Sequence, residues 1–175
     1  MTPTLDELFA PWLGALGKDY PAYRHHVERL LALCELLAAR AGVQLDPVAL
    51  RVAAVYHDLG IWSDGTFDYL APSAARAAAW LESQGQAGLA PLVAAMIAQH
   101  HKIRPAGPAN DPVEIFRRAD WMDVSLGLLN AGLPRAHYRE LLERYPDAGF
   151  HWRLVQLSTK RALTNPLNPL PMFRW

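Results

Sequence analysis

The stretch Val52-Ala53-Ala54-Val55-Tyr56-His57-Asp58-Leu59-Gly60 is the feature that most limits how this chain can fold. An apolar helical run ends in adjacent imidazole and carboxylate groups, and a glycine follows that can stop the helix. A buried helix end normally avoids such groups, because polar atoms taken out of water need partners. Other segments must therefore come to the doublet. Two have suitable chemistry: His26, within Tyr23-Arg24-His25-His26-Val27-Glu28-Arg29, and Asp120, within Phe116-Arg117-Arg118-Ala119-Asp120.

The rest of the chain reads as helices. Thr4 and Glu7 form a capping box ahead of Leu5, Leu8, Phe9, Trp12 and Leu13. Pro21 can open a second helix, with Val27, Leu30, Leu31, Cys34, Leu37 and Ala38 on one face and Gly42 at its end. Asp46-Pro47 reads as an N-cap with proline in the first helical position, launching a third helix that runs to the doublet. Periodicity is lost over residues 61–69, where Ser63-Asp64-Gly65 reads as a turn. Ser73 is a candidate cap for an alanine-rich helix over 74–81, and a fifth helix spans 89–101 before Pro105 and Pro108. Asp111-Pro112-Val113-Glu114 combines N-cap, proline and capping box, and amphipathic segments follow near 136–144 and 151–163. No stretch alternates as a strand does. The expected fold is an all-α bundle of about seven helices over residues 1–164, with its motif-bearing core at 20–127 and no internal repeat. Prolines at 166, 169 and 171 favour an extended tail over 165–175, whose Leu170, Phe173 and Trp175 need apolar contacts. The tail could pack on its own domain or reach a neighbouring subunit of a homodimer.

Composition narrows the function. Apolar residues make up 51% and charged residues 19%, which suits a compact domain. The 17 basic and 17 acidic residues cancel, so nothing global attracts nucleic acid, and a phosphorylated ligand needs a local basic pocket. The single Cys34 sits in an apolar stretch and reads as a small buried hydrophobe. Residues 1–7 lack the pattern of a signal peptide, and no run approaches the ~18 apolar residues of a membrane span. A cytoplasmic location without membrane partners is expected.

Two neutral imidazoles and two carboxylates make a mixed nitrogen and oxygen set suited to Mn, Fe, Co, Ni or Zn. Four protein ligands on an octahedral ion leave positions for water and substrate, and such a water loses a proton far more easily than bulk water. Adjacent helical residues point roughly 100° apart, yet long side chains at a helix end can still converge on one ion.

Tyr-x-x-His-Val-x-Arg at 23–29, the His57-Asp58 doublet, and Arg-Ala-Asp at 118–120 together resemble the HD-domain superfamily of metal-dependent phosphohydrolases, over roughly residues 20–127. The resemblance implies His26, His57, Asp58 and Asp120 as ligands of one divalent transition metal ion. It also implies a metal-activated water attacking a small phosphomonoester or nucleotide-like substrate. His26 fits better than His25 because Arg29 follows three residues later, and Asp120 fits better than Asp123, one turn on. Similar His-His pairs in multi-metal members bind further ions, but those members usually supply another histidine between doublet and pair. Residues 59–99 contain none, which favours a single ion. His100 and His101, with Asp58, then become candidates for moving protons, and Lys102, Arg29 and Arg104 for holding phosphate. Blander readings compete: cations at a helix C-terminus suit its dipole, and Arg29 could simply pair with a carboxylate. Some nucleotidases of the family place a glutamate soon after the doublet, where this chain offers Asp64 and Asp68. Trp62, Phe67, Tyr69 and Trp121 could wall a pocket or anchor core and loops. A metal-dependent hydratase or lyase, or a non-catalytic metal-binding sensor or interaction domain, would use the same ligands.

Overall fold

Among the residues that the computed structural model describes, 1–168 and 170–173, the chain forms helices and turns and no strand. The helices are α1 (Leu5–Phe9), α2 (Tyr20–Ala41), α3 (Pro47–Tyr56), α4 (Leu70–Ser83), α5 (Ala90–Gln99), α6 (Pro112–Val124), α7 (Arg135–Arg144) and α8 (Phe150–Thr164). Seven of them have ten residues or more, so the expected all-α architecture stands. None is long and apolar enough to cross a membrane.

Local chemistry sets most boundaries. The Thr4–Glu7 capping box is closed in both directions. Asp46 accepts from the backbone N–H groups of Val48 and Ala49 at 2.9 and 2.8 Å, and Asp111 accepts from that of Val113 at 2.8 Å. Gly42 ends α2 at φ 68°, a conformation that costs glycine little. Three local expectations are corrected. Glu114 does not complete a capping box, because its carboxylate accepts from both ends of the Arg117 fork and from Ala106 N–H. Ser73 caps nothing: α4 already begins at Leu70, and the buried Ser73 hydroxyl accepts the Gly60 N–H at 3.0 Å. Gly60 does not stop α3, which ends at Tyr56; it opens a short helical turn, Gly60–Ser63. Its requirement is space, since a Cβ there would lie 2.8 Å from the Tyr69 carbonyl oxygen.

Helix α2 packs against α3 and α6, while α5 touches α3, α4 and α6. Their shared core runs from Leu8 and Phe9 through Leu30, Leu33, Val52 and Val55 to Ile97, Phe116 and Phe150. Cys34 is buried there as expected, and burial pushes its thiol pKa well up. Among its described residues the tail makes turns rather than the expected extended path. Turns at Asn165–Asn168 and Leu170–Phe173 bring it back, burying Met172 against Ile61, Tyr69 and Leu70. Leu170 stays exposed, and Trp175 lies outside the described residues.

A Cβ at Gly60 would press on the Tyr69 carbonyl oxygen and Cβ and on the Ser73 hydroxyl, so Gly60→Ala should cost about 1–3 kcal/mol through overpacking. Gly14→Ala, where nothing lies within 4 Å, should be neutral or slightly stabilising. Denaturant midpoints of the two variants check this contrast.

Candidate metal centre

The doublet stands where α3 runs out. His57 is the residue after the last helical position, so carbonyls of the final turn lack helical partners. One of them, Ala54 O, accepts from His57 Nδ1 at 2.8 Å. The same device recurs at the end of α5, where His100 Nδ1 donates to Ile97 O at 2.7 Å. Each bond fixes the ring and its tautomer, leaving Nε2 as a lone pair aimed inward. His26, mid-way along α2, is oriented by Asp123 Oδ2, 2.6 Å from its Nδ1. Three imidazoles thus turn Nε2 toward one region.

Asp58 and Asp120 meet them there. His57 Nε2 lies 3.4 Å from Asp58 Oδ2 and 3.7 Å from Asp120 Oδ1, and His26 Nε2 lies 3.6 Å from Asp120 Oδ1. His26 Nε2 and His57 Nε2 are 3.0 Å apart. With both protons committed to Nδ1, that separation sets two lone pairs against each other. Nitrogen ligands roughly 2.1 Å from one ion, at right angles, stand about 3 Å apart. On the far side, His100 Nε2 lies 3.3 Å from Asp58 Oδ1, and His101 Nδ1 lies 3.6 Å from Asp120 Oδ2. Two donor groups could therefore hold a metal ion, His26–His57–Asp58 and Asp58–His100–His101, with Asp58 common to both.

Four atoms of this cluster are buried without any hydrogen-bond partner: Asp58 Oδ1, His100 Nε2 and both oxygens of Asp120. Such orphans are rare in native interiors and call for a ligand or ion. The electrostatics agree. Burial raises Asp120 to about 7, whereas at Asp58 the neighbouring His57 and His100 outweigh burial and hold the carboxyl well below its usual range. Burial lowers His57 to about 3, which keeps it neutral and able to ligate. The residues present fit a divalent cation.

The flanking residues are committed to support. Tyr23 ties α2 to the end of α3: its hydroxyl donates to Val55 O at 2.9 Å and accepts from Asp58 N–H at 3.3 Å. Its ring packs beside both His26 and His57. Arg29, for which the sequence left phosphate or a carboxylate partner open, takes the carboxylate: it is fully buried and forks onto Asp123, with Nε 2.6 Å from Oδ1 and Nη2 2.9 Å from Oδ2, which removes it from the phosphate-binding candidates. Its remaining nitrogen donates to Tyr145 O at 2.9 Å, so Arg29 has no free donor to offer a substrate. Asp123, passed over in favour of Asp120, is the group that orients His26. Its carboxyl is held low: burial alone would raise it, but the bonds from His26 and Arg29 outweigh that. Both belong to same-face pairs, i and i+3 from predicted ligands, which is the signal that could have found them. His25 faces outward and bonds Pro146 O.

Lys102 is half-buried beside His101, and its carbonyl accepts from Arg117 and Trp121. Arg104 is exposed. Asp64 is bound by the Arg76 fork and Ser63, and Asp68 is exposed. Trp62 anchors to Asp19, while Tyr69 reaches His101 Nε2 at 2.8 Å. His101 is the cluster member most open to solvent, at 11% side-chain exposure against 0–3% for the others. Phe173 of the tail lies tilted against that edge, 5.3 Å from the His101 ring and 5.6 Å from that of Trp121. An open groove of about 590 Å³ lies beyond Trp121, but its arginines are engaged, Arg117 by Glu114 and Arg118 by Ala131 O.

Removing the Asp123 charge strands the buried Arg29 and frees His26. Asp123→Asn should cost roughly 3–5 kcal/mol of stability and weaken metal affinity roughly 10–100-fold. Chemical denaturation with and without metal, and titration with Mn or Zn, read the two effects separately.

Neither a curated protein nor a solved structure matches this chain. The family model described as HD domain does, over residues 23–125, which carry all four expected ligands and the His100–His101 pair. With more than half of its length matched, and its histidines and aspartates gathered at one buried centre, the chain belongs to the HD domain family, whose members are largely metal-dependent hydrolases.

Proposed function

We propose that this centre is the active site of a metal-dependent phosphohydrolase that takes a small phosphomonoester or nucleotide-like substrate. The carrying observation is the set of partnerless buried atoms on Asp58, His100 and Asp120, facing imidazoles already locked in their ligating tautomer. His26, His57, Asp58 and Asp120 would hold the ion. When bound, a divalent cation supplies Lewis acidity toward a phosphoryl oxygen and lowers the pKa of water. The chain's own groups supply the rest. Asp58 and His100 face each other at 3.3 Å and can share a proton beside the centre. His101, at the partly open edge, can hydrogen-bond a leaving oxygen. Lys102 follows it and can offset phosphate charge, with Arg104 further out. Phe173, Tyr69 and Trp121 narrow that edge, which favours a small substrate and limits bulk water.

His57→Ala and Asp58→Ala should each lose bound metal and phosphate release while helical circular dichroism largely survives. Elemental analysis of the purified variants decides it, and metal content equal to the parent's would defeat the assignment. Lys102→Ala should raise KM roughly tenfold with kcat little changed, as for about 1.5 kcal/mol of charge-assisted binding. Steady-state kinetics on a generic phosphomonoester with Mn, Co or Ni measure it. Stoichiometric metal without phosphate release from any such ester would point instead to the hydratase, lyase or sensor reading.

A further inference from the structure

His26, His57, Asp58, His100 and Asp120 are all buried, and of the side chains at the centre only His101 is partly open to solvent. A molecule that approaches the centre therefore meets His101 first. The ring standing there comes from none of the helices that carry the ligands. It is Phe173, in the tail, beyond the residues 23–125 that match the family. Its centroid lies 5.3 Å from that of His101 and 5.6 Å from that of Trp121.

The tail is held in a way that fixes this ring. Arg161 of α8 donates from Nε to Asn168 O at 3.3 Å, which ties down the first turn. The Phe173 N–H donates to Leu170 O at 3.2 Å and closes the second. Among the described residues from 165 to 173, Met172 alone is buried. It sits with Ile61, Tyr69 and Leu70 in an apolar cluster separate from the main core. Met172 is thus the seat of the tail, and the residue next to it is carried to the rim of the centre. Phe173 packs on the margin of that cluster and remains only half-buried.

From this placement we infer that Phe173 is a specificity-determining residue: the tail sets its ring across the entrance and restricts the ester to one with a small leaving group. The inference rests on the phosphohydrolase reading above and concerns a segment outside the family match. Trp121 also lines the open groove described above, so space for a larger leaving group begins beside the Phe173 ring. The test compares phenyl phosphate with 2-naphthyl phosphate, whose leaving groups differ in size more than in acidity, in the presence of Mn. Circular dichroism verifies folding. Phe173→Ala should raise the naphthyl-to-phenyl ratio of kcat/KM about tenfold, and Phe173→Leu, which keeps most of the volume, should fall between it and the parent. Hydroxyl-radical footprinting of the metal-free chain gives a readout independent of activity. Labelling of His101 and Trp121 should rise in Phe173→Ala, while that of Trp80 on α4 stays at the parental level. Unchanged labelling at the entrance, a folded Phe173→Ala with the parental ratio, or a parent that takes both esters equally well would overturn the role given to Phe173. A parent inactive toward both esters would instead defeat the phosphohydrolase reading, and the size limit with it.

Discussion

Three carboxylate oxygens, one on Asp58 and two on Asp120, are buried in this protein with no hydrogen donor to meet them. A buried, unpaired anion costs several kcal/mol, so a fold that retains such groups must offset them. Without a cation the cluster does so by holding protons, which is why Asp120 rises to about 7 and the carboxylates draw His100 upward against its burial. A divalent ion would replace those protons and meet the facing imidazole lone pairs at the same time. The rest of the molecule can be understood as the scaffold that keeps this unfavourable group of side chains in register.

That scaffold relies on helix ends and on one buried ion pair. His57 and His100 each follow the last residue of a helix, and each borrows a carbonyl from its own final turn to fix its ring. The cost of two unsatisfied helix termini is thereby turned into ring orientation. His26, lying inside α2, has no free carbonyl of its own and needs an outside group. Asp123 provides it, and Arg29 neutralises Asp123 with a bidentate fork. Arg29 thus reaches the centre only through Asp123, its donors being taken by that carboxylate and by Tyr145 O.

The edge at His101 has a different character. Tyr69, Phe173 and Trp121 come from three separate segments and meet around one partly exposed imidazole. None of them is part of the ordered histidine and aspartate pattern. Only Trp121 shares a helix with a predicted ligand, one residue after Asp120 on α6; Tyr69 precedes α4 and Phe173 belongs to the tail.

What the sequence determined by itself is local. Thr4, Asp46, Asp111 and Gly42 mark helix ends because capping and left-handed φ involve atoms only a few residues apart. The candidate set His26, His57, Asp58 and Asp120 was legible only as an ordered pattern resembling a family's, and the structure brings those four side chains together. Tertiary structure decided everything that depends on which surfaces meet. It chose Asp123 as the partner of Arg29 from the two readings left open, and gave Ser73 to Gly60 instead of a helix cap and Tyr69 to His101. It also folded the proline-rich tail back over the site, where chain stiffness alone argued for an extended path. Those pairings join residues from about ten to more than ninety positions apart. Their selection rests on burial and on the satisfaction of polar groups in the finished core, quantities that no short window of sequence contains.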